Sequence, residues 1–156
     1  MKARITTAAA LAALGTVLIA TPAVANPDPG FPQNIRNEQT GRCLDSDQAG
    51  KVYTNPCTAN NPYQQWISVN LGTDYYFSFK NVATGKCLTG VSEDTVRTMS
   101  CAEGSYRPQR WGTFNNGRSN QLWNANALDS DDKGNVYLKE STPNNRYQSW
   151  LYGNPR

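Results

Sequence analysis

One block of sequence is written three times in this chain, and it constrains the fold more than any other feature. Residues 43–66 read CLDSDQAGKVYTNPCTANNPYQQW and residues 127–150 read ALDSDDKGNVYLKESTPNNRYQSW, which align without a gap and share thirteen of twenty-four positions. A third, more divergent copy runs from Cys87 to Trp111. Repeats of about forty residues are copies of one supersecondary unit assembled around an axis. We therefore predict threefold pseudosymmetry.

Each copy of the block closes on Gln-x-Trp. The three pairs are Gln64/Trp66, Gln109/Trp111 and Gln148/Trp150. The chain around them alternates short strand-like stretches with turns of Gly, Asn, Asp and Pro, and no segment sustains an apolar period of about 3.6 residues. An all-β chain of three repeats, with about four short strands in each, favours a β-trefoil. We predict that the three tryptophans are buried at equivalent positions and that the three glutamines tie loops to the scaffold.

The first twenty-five residues differ in character from the rest of the chain. Lys2 and Arg4 precede an apolar stretch, and Ala23-Val24-Ala25 supplies small residues at alternate positions. This pattern is typical of a secretory signal peptide, which we assign to residues 1–25. No later stretch has the length of apolar sequence that a transmembrane helix requires, so we predict no membrane insertion.

The rest of the chain is predicted to form one domain. Residues 26–33 contain three prolines and are assigned to an extended lead-in. The domain spans 34–156, with repeats at about 34–70, 77–115 and 119–156. Removing Lys2 and Arg4 reduces the formal net charge of +3 to +1. Such a balance, with no block of Lys or Arg, argues against nucleic acid as a partner.

The four cysteines follow the repeats. Four cysteines allow three pairings. Cys43 and Cys57 are fourteen residues apart, and so are Cys87 and Cys101 at the same positions of the second copy. The third copy has Ala127 and Ser141 there, so both partners are lost together. This loss favours the disulfides Cys43–Cys57 and Cys87–Cys101. With no histidine and no Cys-x-x-Cys, we predict no metal site and no cofactor.

The first and third copies share a set of polar residues beyond those that build the fold. The set is Asp45, Tyr53, Thr58, Asn60, Asn61 and Tyr63 in one copy, and Asp129, Tyr137, Thr142, Asn144, Asn145 and Tyr147 in the other. An ionised carboxylate can accept hydrogen bonds from two neighbouring sugar hydroxyls, and a tyrosine ring offers a flat face to the C–H patch of a sugar. The alternative is structural: the aspartates cap turns and the tyrosines are half-buried barrel residues.

The second copy helps to weigh these interpretations. It keeps the Leu, Val, Gln and Trp of the block, but Thr89 replaces the aspartate and Arg97 the first tyrosine. The scaffold residues survive where the Asp and Tyr do not. This difference favours a binding site that the second copy has lost, over a structural need for the Asp and Tyr.

The Gln-x-Trp repeats with Cys-Leu-Asp resemble the ricin-type β-trefoil lectins. Residues 36–46, 50–54 and 63–66 are most similar to the small actinohivin-like members, which have three such repeats and bind high-mannose glycans. The resemblance implies one sugar pocket per repeat, formed by five positions. The residues at these positions are Asp45, Tyr53, Asn55, Thr58 and Tyr63 in the first copy, and Asp129, Tyr137, Lys139, Thr142 and Tyr147 in the third. The Asp and both Tyr match the family, whereas Asn55 and Lys139 replace its Leu and Thr58 and Thr142 replace its Asn. An inserted residue also makes Asn60 and Asn144 candidates for the fourth position, and the second copy matches none of the five.

These observations support three hypotheses of different classes. The leading one is a secreted, monomeric, non-enzymatic carbohydrate-binding protein that engages branched or polymeric glycans at more than one site. The second is a protein-binding module, such as an inhibitor or a toxin accessory, since a trefoil scaffold does not by itself decide function. The third is a glycosidase using Asp45–Asp47 or Asp129–Asp131 as its carboxylate pair. Without histidine, no Ser- or Cys-based triad can be assembled in its usual form.

Overall fold

The computed structural model describes residues 27–73, 75–104, 106–115 and 120–153, so the signal peptide assigned to residues 1–25 lies outside the described residues. The strands are β1 (Pro32–Asn37), β2 (Cys43–Ser46), β3 (Val52–Asn55), β4 (Gln65–Asn70), β5 (Tyr76–Asn81), β6 (Cys87–Gly90), β7 (Val96–Met99), β8 (Trp111–Asn115), β9 (Asn120–Asn124), β10 (Asn126–Ser130), β11 (Val136–Lys139) and β12 (Ser149–Gly153). Single 3₁₀ turns at Pro62–Gln64, Arg107–Gln109 and Arg146–Gln148 precede β4, β8 and β12.

Six of these strands close into a barrel. Antiparallel pairs join β1 to β4, β4 to β5, β5 to β8, β8 to β9, β9 to β12 and β12 back to β1. The hairpins β2–β3, β6–β7 and β10–β11 lie outside this ring, one in each repeat. This arrangement is a β-trefoil, so the predicted fold is confirmed. The strand β1 begins at Pro32 and thus includes the last two residues of the predicted lead-in.

The three Gln-x-Trp tryptophans lie in the core at equivalent positions. Trp66, Trp111 and Trp150 are at most 1% exposed. Their indole Nε1–H groups donate to the backbone carbonyls of the leucines in β2, β6 and β10, at 3.0, 2.9 and 2.9 Å. Full burial of such a side chain contributes about 2–3 kcal/mol, and the indole hydrogen bond removes the cost of burying its polar atom. The prediction of equivalent buried positions is confirmed.

The three glutamines of the motif each hold the loop that follows the hairpin. In the first repeat, Gln64 Oε1 accepts from the Thr58 amide at 2.8 Å, and Gln64 Nε2 donates to the Pro56 carbonyl at 3.1 Å. The other two repeats make the same pair of bonds, through Gln109 and Gln148. These bonds confirm the prediction that the glutamines tie loops to the scaffold.

The hairpins meet one another around the pseudo-threefold axis. The amide of Thr98 donates to the Gly50 carbonyl at 2.9 Å, and the amide of Thr54 donates to the Gly134 carbonyl at 2.8 Å. The third such bond runs from Leu138 to the carbonyl of Asp94, at 2.9 Å. The hairpin turns therefore connect the repeats as well as reversing the chain.

Both predicted disulfides are present. Cys43 is bonded to Cys57 and Cys87 to Cys101. Each cross-link closes a loop of about fourteen residues and stabilises the fold by about 3 kcal/mol under the chain-entropy model. In the third repeat, Ser141 Oγ instead donates to Gln121 Oε1 in β9 at 2.9 Å, so this loop is held to a barrel strand by a hydrogen bond.

Candidate functional site

Two cavities lie at matching places in the first and third repeats. The first, of about 420 Å³, is lined by Asp45, Asp47, Gln48, Tyr53, Asn61 and Tyr63. The other, of about 160 Å³, is lined by Asp129, Ser130, Asp131, Asp132, Tyr137, Lys139, Asn145 and Tyr147. Each cavity thus brings together the Asp and both tyrosines that the repeats predicted, although those residues are up to eighteen positions apart in sequence.

The hairpin places the aspartate beside the first tyrosine. Asp45 in β2 is directly opposite Tyr53 in β3, and Asp129 in β10 is opposite Tyr137 in β11. Residues directly opposite in an antiparallel pair project from the same face of the sheet. The carboxylate and the phenol ring therefore share one wall of each cavity.

The second tyrosine is carried by the 3₁₀ turn. Asn61 precedes the first such turn, and its side-chain oxygen accepts from the Tyr63 amide at 3.1 Å. Asn145 caps the third-repeat turn in the same way, accepting from Tyr147 at 3.1 Å. Asn is a favoured capping residue because its short side chain can reach the backbone amide two residues on. Each cap fixes its tyrosine at the mouth of the cavity.

The aspartates are buried and belong to the scaffold as well as to the cavity. Asp45 is 4% exposed and Asp129 3%. Asp45 Oδ2 accepts from Gln64 Nε2 at 3.1 Å and from Asn55 Nδ2 at 3.2 Å. Within the part of the chain that the structure describes, no donor lies on Asp45 Oδ1. One oxygen is therefore used by the fold, and the other is left for a ligand.

The second repeat shows what the fold requires at this position. Thr89 Oγ1 accepts from Gln109 Nε2 at 3.1 Å, in the place of the aspartate oxygen. A threonine hydroxyl can therefore serve the glutamine where the other repeats use an aspartate, so the aspartate has a structural role that another oxygen acceptor can fill. The proposed turn-capping role of Asp45 and Asp129 is not observed, since the turn amides bond instead to Asp47 and Asp131.

The environment keeps the cavity tyrosines protonated. Burial raises the pKa of Tyr53, and the carboxylates of Asp45 and Asp47 raise it further. Burial also raises the pKa of Tyr137, with Asp129 and Asp131 adding to the effect. A raised pKa keeps the hydroxyl neutral to higher pH than usual. Both hydroxyls can therefore donate a hydrogen bond at any physiological pH.

The cavity of the third repeat carries more charged side chains than the cavity of the first repeat. Asp132 replaces Gln48 of the first repeat, and the Tyr147 hydroxyl donates to Asp132 Oδ2 at 3.0 Å. That bond is the main cause of the raised pKa of Tyr147. Lys139 replaces Asn55, which in the first repeat donates to the aspartate. The two cavities share a framework and differ at the rim.

Some of the predicted residues lie elsewhere. Thr58 and Thr142 are exposed, outside both linings, and contribute backbone amides to the glutamine ties. Asn60 and Asn144 are turn residues with φ of 58° and do not line the cavities. The neighbouring Asn61 and Asn145 line them instead; their position two residues before Tyr-Gln, where an Asn caps a turn, is the sequence signal that distinguishes them.

Within the described residues, no group of three or more metal-ligating side chains could hold a metal ion. No helix in the same part of the chain is long and apolar enough to cross a membrane.

Comparison with known proteins places this architecture. The sequence model of one protein family, the ricin-type β-trefoil lectin domain, matches residues 31–150. Among solved structures, the chain is similar to the crystal structure of a designed 3-fold symmetric protein, ThreeFoil, with a TM-score of 0.66 at 20% sequence identity. The match covers 80% of this chain and 99% of ThreeFoil, and at this identity it bears on the fold alone.

Proposed function

Since the chain belongs to the ricin-type β-trefoil lectin domain family, we propose that it is a secreted lectin that binds glycans through its first and third repeats, without catalysis. Carbohydrate binding is the property that the family supports. The observation that carries the choice of repeats is the buried aspartate that faces a tyrosine across its hairpin in both of them, with Oδ1 of Asp45 outside the bonds that Gln64 and Asn55 make to Oδ2.

The chemistry of each cavity suits a pyranose ring. The aspartate is a fixed acceptor for neighbouring hydroxyls of the sugar, and its charge strengthens those hydrogen bonds. The tyrosine rings supply flat apolar surface for the C–H face of the ring. Because Asp45 and Asp129 are already held by glutamine, little side-chain entropy is lost when the sugar binds.

Binding to two repeats explains how shallow cavities could give useful affinity. A single site with a millimolar dissociation constant contributes about −4 kcal/mol. Two sites on one rigid barrel can engage one branched or polymeric glycan, and linkage of this kind can raise affinity by about 10²–10⁴-fold. We therefore propose a multivalent monomer with branched or polymeric glycans as its partners.

The specificity is proposed to be of the mannose type, with different tolerance in the two cavities. The proposal rests on the similarity of residues 36–46, 50–54 and 63–66 to the actinohivin-like lectins. In the cavity of the third repeat, Lys139 adds a cation at the position where the first repeat has the amide of Asn55. We propose that the first cavity is the stricter mannose site and that Lys139 changes which neutral sugars the cavity of the third repeat tolerates.

The absence of catalysis is supported by the hydrogen bonds and the pKa of Asp131, the second carboxylate of the candidate pair Asp129–Asp131. Asp131 accepts from the backbone amides of Lys133 and Asn135 and from Asn135 Nδ2, and these bonds lower its pKa. A glycosidase needs a carboxylic acid with a raised pKa as its proton donor. Asp131 has the opposite shift and its oxygens are engaged in the turn.

Secretion is proposed from two features together. Residues 1–25 have the pattern of a signal peptide, and the chain carries two disulfides of the kind that persist in oxidising compartments. Purification from culture medium, followed by determination of the first residue of the mature protein, tests this part of the proposal. Retention of residues 1–25 in the secreted protein would contradict it.

The test of glycan binding uses the second repeat as its template. Asp45→Thr combined with Asp129→Thr installs the acceptor that Thr89 provides, so we expect a folded protein that has lost binding on a glycan array and in calorimetry with mannose oligosaccharides. Arg36→Gln, on the exposed face of β1, is the matched surface control. Full binding by the folded double variant would refute the aspartate sites. Recovery of a stoichiometric protein partner that sugar does not displace would favour the protein-binding alternative.

A further inference from the structure

Another cavity, of about 350 Å³, lies away from both aspartate sites, where the second repeat meets the third. Its lining is Tyr76, Gly90, Arg107, Pro108, Arg110, Trp123, Asn124 and Ala125. This lining contains two guanidinium groups, two aromatic rings and no carboxylate. The aspartate sites have the opposite charge, since two and three aspartates line them.

The aromatic wall is built across three neighbouring strands. Tyr76 in β5 is paired with Gly112 in β8, which is paired with Trp123 in β9. The rings of Tyr76 and Trp123 meet edge to face, with centroids 6.2 Å apart. A Cβ atom at position 112 would lie 2.4 Å from Trp123 Nε1, so the indole can occupy this place only because residue 112 is glycine.

The repeat symmetry does not account for the row formed by Tyr76, Gly112 and Trp123. At the junction between the first and second repeats, the equivalent three positions are Pro32, Ile67 and Lys80. At the junction between the third and first repeats, Leu151 is at the position of Gly112 and Arg36 at that of Trp123. An aromatic–glycine–aromatic row is thus particular to one junction. The barrel closes without it elsewhere, so its function is not explained by the needs of the fold.

The cationic wall is held in place over the rings. The guanidinium carbon of Arg110 lies 4.6 Å from the centroid of the Tyr76 ring. Asn124 Nδ2 donates to the carbonyls of Arg107 and Arg110, at 2.7 and 3.1 Å, and so fixes the 3₁₀ turn against β9. Within the described residues, neither guanidinium is paired with a carboxylate; the ion pair that the structure shows there joins Arg146 and Glu38.

We propose that this cavity is a second kind of binding site, which takes a carboxylated sugar such as a hexuronic acid residue. The guanidinium fork matches the planar carboxylate and can bond it through two parallel N–H groups. The face of the Trp123 indole suits the C–H patch of the same ring, and Tyr76 holds the Arg110 guanidinium beside it. The volume is at the lower end of the range for small-molecule sites and is suited to one or two sugar units.

The site is independent of the proposed mannose binding, since no residue is shared between the cavities. A glycan that carries both neutral and acidic sugars could engage the two kinds of site together. The binding of an acidic probe should weaken as salt is added, because the arginines are partly in contact with solvent.

The test is calorimetry of the mature, oxidised protein with a galacturonic acid trimer and with the same trimer after reduction of its carboxyl groups. We expect the acidic trimer to bind at least ten times more tightly than the reduced trimer. Arg110→Gln should weaken its binding at least tenfold, and Trp123→Phe should weaken it less. Asp45→Thr with Asp129→Thr should leave it unchanged, so that failure of this site and failure of the mannose sites can be told apart.

Arg36→Gln is the matched control, since it removes the same charge from an exposed strand position outside the cavity. Should Arg110→Gln prove unfolded by circular dichroism, Arg107→Gln provides the second test, because that residue is exposed. Equal binding of the acidic and reduced trimers, or equal weakening by Arg36→Gln and Arg110→Gln, would overturn the proposal. Inorganic phosphate that displaces the trimer at equal concentration would also overturn it, by showing a simple anion site.

Discussion

The first and second repeats provide a hydrogen-bond acceptor for the motif glutamine with different side chains. The glutamine of the first repeat donates to an aspartate oxygen, and that of the second donates to a threonine hydroxyl at the same distance, 3.1 Å. Both acceptors are buried, and both stand opposite the middle of the partner strand of the hairpin. The fold therefore needs one acceptor atom. The charge and the second oxygen of Asp45 exceed that need, and they are what a ligand can use.

A second difference between these repeats concerns the hairpin turn. Gly50 and Asp94 each give a carbonyl to the next hairpin around the axis. The φ of Gly50 is +84°, whereas Asp94 is not among the residues with positive φ. The repeats with an aspartate pocket thus use a glycine in the left-handed conformation, in a turn where Asp47 or Asp131 accepts from the amide of the residue after the glycine.

The largest expected effect comes from breaking that turn. Gly50→Ala would force an L-residue into a left-handed conformation and place a Cβ 2.5 Å from the Thr98 carbonyl oxygen. We expect a loss of about 3 kcal/mol from the free energy of unfolding, measured by chemical denaturation. Asp94→Ala should cost about 0.5 kcal/mol, as an ordinary surface change does. Equal losses in the two variants would show that the turns are equivalent after all.

Removing one of the two aspartate pockets is the next largest effect. Asp45→Thr turns the first repeat into a copy of the second, so a polymeric mannan can be held at one pocket only. We expect its apparent affinity to fall about 100-fold, since that is the lower range of the gain from linked sites. Affinity for a monosaccharide in the remaining pocket should be unchanged in calorimetry, with half the number of sites. A loss of the same size for both ligands would contradict two-site binding.

The acceptor itself can be tested by comparing alanine with threonine. Asp45→Ala leaves one N–H of the buried Gln64 Nε2 without its acceptor while the bond to the Pro56 carbonyl remains, and we expect a loss of about 2 kcal/mol in the free energy of unfolding. Asp45→Thr restores an acceptor and should cost much less. Thr89→Ala is the matched variant in the second repeat, and we expect it to resemble Asp45→Ala. If alanine and threonine are tolerated equally at position 45, the glutamine tie does not contribute to stability.

The fold could be predicted from sequence because repetition carries it. Three copies of Gln-x-Trp predicted the threefold symmetry. The joint loss of two cysteines, at Ala127 and Ser141, predicted the disulfide pairing. The pockets were harder to predict. The double role of Asp45 depends on a bond to Gln64, nineteen residues away, which spacing does not show. The choice of Asn61 over Asn60 depends on which residue takes the left-handed conformation.

The cavity at the junction of the second and third repeats could not be predicted from sequence, for a different reason. Tyr76 lies in β5, Trp123 lies in β9, and Arg110 stands just before β8 at the variable position of the second Gln-x-Trp. Their meeting depends on the register of β5, β8 and β9, which only the closed barrel sets. Symmetry predicts what the copies share, and this cavity is a place where they differ.

The smallest expected effect distinguishes the first pocket from the third. Asp132→Gln gives the third pocket the residue of the first and replaces the charged acceptor of the Tyr147 hydroxyl with a neutral amide. The bond raises the pKa of Tyr147, so it is present below the ordinary tyrosine pKa of about 10 and is lost as pH rises through the raised value. We expect the variant to shift the tyrosinate absorbance titration toward lower pH, with a free energy of unfolding close to that of the wild type. An unchanged titration would mean that Asp132 does not distinguish the two rims electrostatically, and the difference in specificity would then rest on Lys139 alone.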